Sequence, residues 1–94
     1  MRPFCGKCAR KHIAQAIVLL NETHLGYPSH LWLAIGHLAE AEAEIYAKYP
    51  DIAQRIREER LKIEETGDSD ALLGLIIEIS KLAKQNNDNC DYWG

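Results

Sequence analysis

Cysteine and histidine are the residue types in this chain best suited to chemistry, and they fall in a pattern. Cys5 and Cys8 form a CxxC pair, His12 follows four residues later, and Cys90 lies near the far end. Thiolates are soft ligands that suit zinc, and a CxxC brings two of them within reach of one ion. The same pair at the start of a helix is also the arrangement of a thioredoxin-like redox couple. That chemistry works within a βαβ frame, and no stretch of this sequence has strand periodicity. The cysteines therefore predict zinc, with inert thiols or a redox or resting disulfide as the alternatives.

Tetrahedral zinc takes four donors. His12 sits one helical turn above Cys8 on the same face. Cys90 follows the last helical stretch, and in an up-down bundle that stretch ends where the first one begins. The predicted ligand set is Cys5, Cys8, His12 and Cys90, a closed structural site with no position left for substrate. His37 is a weaker candidate. Counting from the turn near residue 27, it and His12 differ in height by about 7 Å at 1.5 Å per residue.

A second polar group lies further along. His30, His37, Glu40 and Glu44 share one helical face, and His37 with Glu40 forms HxxE. Di-iron bundles use ExxH on paired helices, but this chain carries a single copy. A solvated face with helix-stabilising pairs is the simpler expectation. A small metal-dependent enzyme on the His37/Glu40 face is the sharper alternative, unsupported by a nucleophile–base pair or a phosphate loop.

These residues must be held by helices. Apolar residues recur at spacings of three and four from Cys8 to about Leu25: Ala9, Ile13, Ala16, Ile17 and Leu20. Gly26-Tyr27-Pro28 ends that helix. Ser29 is the expected N-cap of a second helix running to about Tyr49, with Leu31, Ala34, Ile35, Leu38, Ala41 and Ile45 as its stripe. A third helix over about 51–65 is thinly apolar and peripheral. A fourth, over 69–85, is capped by Asp68 or Ser69. Its apolar residues, Leu72, Leu73, Leu75, Ile76, Ile77, Ile79 and Leu82, cover more than one bundle-facing stripe. That makes it either the central helix or a surface for a second copy or another protein. Trp32, Tyr46 and Tyr49 are expected to pack on or cover the bundle.

The fold expected is all-α: one domain over residues 1–94, an up-down bundle of about four helices stapled by metal where the two chain ends meet. With 94 residues the core is small, and such chains need a staple. No stretch approaches the roughly 20 apolar residues that span a bilayer. The N-terminus has no apolar signal core, and the cysteine count is odd, which together predict reduced thiols in a cytoplasmic setting.

Charge adds one further possibility. The chain carries eleven Lys and Arg against fourteen Asp and Glu, a net charge of −3. Arg2, Lys7, Arg10 and Lys11 fall in the first 12 residues with no acid among them, so the remainder carries −7. A basic end beside CxxC, with Phe4 available to stack on a base, suggests a nucleic-acid or nucleotide binder. The acidic body limits the phosphate footprint, so any such contact is weak and salt-sensitive. Charge compensation of a thiolate cluster is the simpler role for the four cations.

The strings CGKCARKH at 5–12, GYPSH at 26–30 and GHLAEAE at 36–42 resemble those of a group of small helical proteins from phages and prophages. The resemblance covers the first half of the chain; from Pro50 onward nothing adds to it. It implies a phage origin and a cytoplasmic setting, and it brings no activity. Together these readings predict a zinc-binding helical accessory module, oligomeric or bound to a protein partner through the fourth helix, with no catalysis of its own.

Overall fold

The computed structural model describes residues 3–86. Four helices make up the fold: α1 (Gly6–His24), α2 (His30–Tyr46), α3 (Pro50–Thr66) and α4 (Leu72–Gln85). Among the described residues there is no strand. Nor is any helix among the described residues long and apolar enough to cross a membrane. The all-α bundle expected from periodicity is the fold observed.

The α1–α2 hairpin is the centre. α1 packs against α2 and α4, and α2 packs against α1 and α3. The core runs through all four helices and includes Ile13, Leu38, Ile45, Ile56, Leu75 and Ile79, all fully buried. α3 contributes only Ala53, Ile56 and Ile63 as buried residues, matching its thin apolar stripe. Its charged face reaches α4 through an ion pair between Arg55 and Glu78 at 2.6 Å.

α4 is not the central helix. Leu72, Leu75, Ile79 and Ala83 are buried along one stripe, whereas Leu73 and Ile77 are 64% and 59% exposed on the opposite side. Trp32 and Tyr46 do not cover the bundle either, at 69% and 50% exposed. Tyr49 does pack, its ring edge-on to Phe4 with centroids 5.4 Å apart. Phe4 is thereby drawn into the fold, with Lys48 on its ring, and is not an open face for a base.

Helix ends differ from expectation where backbone geometry outweighs side-chain capping. Ser29 has helical φ/ψ and makes no side-chain cap. The turn before α2 is held instead by backbone bonds from the N–H groups of His30, Leu31 and Trp32 to the carbonyls three residues back. α2 ends at Tyr46, short of Tyr49, leaving room for Pro50 to open α3 at its first turn. α4 begins at Leu72, beyond the expected cap. The Asp68 carboxylate is used in the connection instead, accepting from the Asp70 N–H at 3.0 Å. Gly67, at φ +76°, closes α3 by donating its N–H to the Ile63 carbonyl.

The chain reversal between α1 and α2 sets the register of everything that follows. Gly26 adopts φ +113°, a conformation that L side chains rarely take. The reversal therefore falls directly after α1, and Tyr27–Ser29 already descend as a helical turn alongside it. In the resulting pairing, the Cys5 N–H donates to the Glu44 carbonyl at 3.1 Å, and His12 meets His37. The pairs 5 with 44 and 12 with 37 have the same sum, as an antiparallel hairpin in constant register requires.

Candidate metal centre

Cys5 is the N-cap of α1. Its backbone is extended, at φ −148° and ψ 100°, and its Sγ accepts a hydrogen bond from the Cys8 N–H at 3.2 Å. That bond satisfies one of the unpaired donors of the first turn. It also turns the Cys5 sulfur toward Cys8, and the two Sγ atoms lie 2.7 Å apart. Both residues are buried. Cys8 is a free cysteine, while Cys5 is disulfide-bonded. Two thiolates on one tetrahedral zinc stand about 3.8 Å apart, given Zn–S bonds of about 2.3 Å. A thiol reductant must first cleave the Cys5 disulfide to free its thiolate; an ion entering afterwards would spread the two sulfurs by about 1 Å.

The facing helix supplies carboxylates and a histidine. Glu44 is only 1% exposed, an unusual position for a glutamate in so small a protein. A carboxylate oxygen of Glu44 lies within 4.8 Å of both sulfurs, and the sulfurs within 4.8 Å of each other. The same spacing relates Glu44, Glu40 and His12. Beyond them, His12 Nδ1 is 2.9 Å from His37 Nδ1. Six ligand-type side chains thus form a ladder between α1 and α2. Cys5, Cys8 and His12 stand on one rail, and Glu44, Glu40 and His37 on the other.

The sequence-predicted residues fall as follows. Cys5 and Cys8 come together. His12 is buried one turn further along and groups with Glu40 and Glu44, of which only Glu44 also groups with the two cysteines. Cys90 lies outside the described residues, as does Arg2. Lys7, Arg10 and Lys11 are exposed on α1. The expected height gap between His12 and His37 is absent, because the reversal lies nearer α1 than the turn from which the heights were counted. The solvated-face reading fails for Glu44, which is buried, while Glu40 and His37 are half-buried. His30 turns away from the ladder to pair with Glu22 at 3.2 Å.

Sequence reasoning missed Glu44 as a neighbour of the cysteine pair. The signal was present in the spacing. Residues 5, 8 and 12 are separated by three and then four positions, and so are 37, 40 and 44. Two identical helical ladders on consecutive antiparallel helices are positioned to face each other.

Compared with known protein families, curated proteins and solved structures, the chain matches none.

Proposed function

We propose that this chain is a small zinc-binding helical interaction module, a phage accessory protein of the cytoplasm, whose metal is structural rather than catalytic. The observation that carries the reading is the meeting of Cys5, Cys8 and Glu44, all buried, at the junction of α1 and α2. Each donor is of a type that zinc accepts. Cys90 is the fourth donor proposed, on the strength of its place in the sequence; Glu44 takes the place of His12 in the set expected from sequence, because Glu44 groups with both sulfurs and His12 does not. The ion would clamp the start of α1 to the end of α2 and so add its binding free energy to folding. A sulfur cannot serve in a disulfide and as a zinc thiolate at once, so the zinc form belongs to reducing conditions.

The basic residues Lys7, Arg10 and Lys11 offset the charge of the thiolates and carboxylate. The partner surface proposed is the outer face of α4, with Leu73 and Ile77 at its centre, meeting a second copy or another protein.

The test is elemental analysis and thermal melting of the thiol-reduced protein. Zinc that depends on Cys8 is expected. With free zinc a hundredfold above its dissociation constant, one site adds about 2.7 kcal/mol. In a domain of this size that shifts the melting temperature by on the order of 10 °C. Absence of zinc from reduced protein, or an unchanged melt after verified chelation, defeats the reading.

A further inference from the structure

The ladder is longer than one zinc needs. Cys5, Cys8 and Glu44 account for its closed end. His12, His37, Glu40 and the second oxygen of Glu44 are then left as a second set of donors, with no part in the proposed staple. We infer that His12, His37, Glu40 and Glu44 form a second divalent-metal position, with Glu44 bridging it to the cysteine site. The inference rests on the proposed staple only through Glu44, which the two sites share.

Three observations carry it. First, the two histidine Nδ1 atoms point at each other across 2.9 Å. Two imidazoles on one tetrahedral zinc hold their donor nitrogens about 3.4 Å apart, given Zn–N bonds of about 2.05 Å. For these two nitrogens, an ion requires a displacement of only about half an ångström. Second, ligand atoms of His12, Glu40 and Glu44 already lie within 4.8 Å of one another, and His37 joins that group through its contact with His12. Third, two nitrogen and two carboxylate donors form a chemically coherent set. Imidazole and carboxylate suit zinc, iron and manganese, whereas the thiolate end selects zinc. Carboxylate-bridged ions about 3.5–4 Å apart are a standard two-metal arrangement.

The two positions differ in access. Cys5, Cys8 and Glu44 are all buried, but Glu40 is half-buried, and His37 forms a wall of a surface depression of about 550 Å³ with Ala14, Gln15, Val18 and Leu19. The second ion therefore exchanges with solvent more readily than the first, and a chelator removes it first.

Cobalt(II) titration of the metal-free, thiol-reduced full chain tests this, with helical content followed by circular dichroism. Two equivalents are expected per chain, of which only one develops thiolate-to-cobalt charge transfer in the near ultraviolet. His37→Ala and Glu40→Gln should each reduce binding to one equivalent and leave that band intact. Cys8→Ser should abolish the band and leave one equivalent bound. One equivalent with the band, unchanged in His37→Ala, overturns the second position while sparing the cysteine site. One equivalent without the band, lost in His37→Ala, supports the second position and overturns the cysteine site. Binding of no metal overturns both.

Discussion

His12 and His37 lie 25 residues apart in sequence, yet their Nδ1 atoms are 2.9 Å apart. The register of the α1–α2 hairpin brings them together. The same register places the Glu44 carboxylate beside Cys5 and Cys8. One geometric fact, the place where the chain reverses, therefore assembles the whole ladder.

Glu44 should matter more to the metal-bound protein than to the metal-free one. Glu44→Gln keeps the side-chain volume and removes the charged donor. Zinc should raise the melting temperature of Glu44→Gln by much less than it raises that of the wild type. Melting curves of both proteins with and without zinc, under reducing conditions, measure the difference. Equal zinc-induced shifts would remove Glu44 from the ligand set.

Two glycines should respond in opposite directions to the same substitution. Gly36 lies within α2 with nothing within 4 Å of an added Cβ. Gly36→Ala should stabilise by about 0.5–1 kcal/mol, through the lower entropy cost of ordering alanine in a helix. Gly67 also has space for a Cβ, but its φ is +76°. Gly67→Ala should destabilise by about 1–2 kcal/mol from backbone strain alone. Urea denaturation of the two variants, compared at constant m-value, reads both signs.

Asp68 should make stability depend on acidity. The Asp70 N–H, and then Lys62 at 3.4 Å, hold its carboxyl below the ordinary value of 3.8. A carboxyl whose pKa is depressed in the folded state stabilises the fold above its unfolded pKa. That contribution disappears as pH falls through the folded pKa. Asp68→Ala should therefore melt below the wild type near neutrality, and the two curves should converge as pH falls below about 4. A gap that stays constant down to that range would show that the carboxylate charge plays no part.

The outer face of α4 is the proposed partner surface. Exposed Leu73 and Ile77 are four residues apart and lie on one side of the helix. If that face joins two copies, Leu73→Glu with Ile77→Glu should shift light scattering toward the monomer while preserving helical content. A wild-type protein that stays monomeric across a concentration series would defeat self-association through this face.

Sequence alone determined the helices and the approach of the two cysteines. Spacings of three and four in Ala9, Ile13, Ala16 and Leu20, and in Ala34, Ile35, Leu38, Ala41 and Ile45, specify amphipathic helices whose inner faces are these residues. Pro50 and Gly67 bound α3 because one lacks an N–H and the other tolerates positive φ. Cys5 and Cys8 converge because both lie within one helical turn, so their meeting is a local property of the chain. The other rail of the ladder was decided only by tertiary structure. Whether Glu44 is solvated or buried, and whether His37 meets His12, depends on how α2 is aligned along α1. Moving the reversal by a few residues slides one helix past the other by about 1.5 Å per residue, enough to separate every donor pair. The conformation of Gly26 and the backbone bonds of Tyr27–Ser29 select that alignment. Hydrophobic periodicity is the same in neighbouring registers and does not distinguish them.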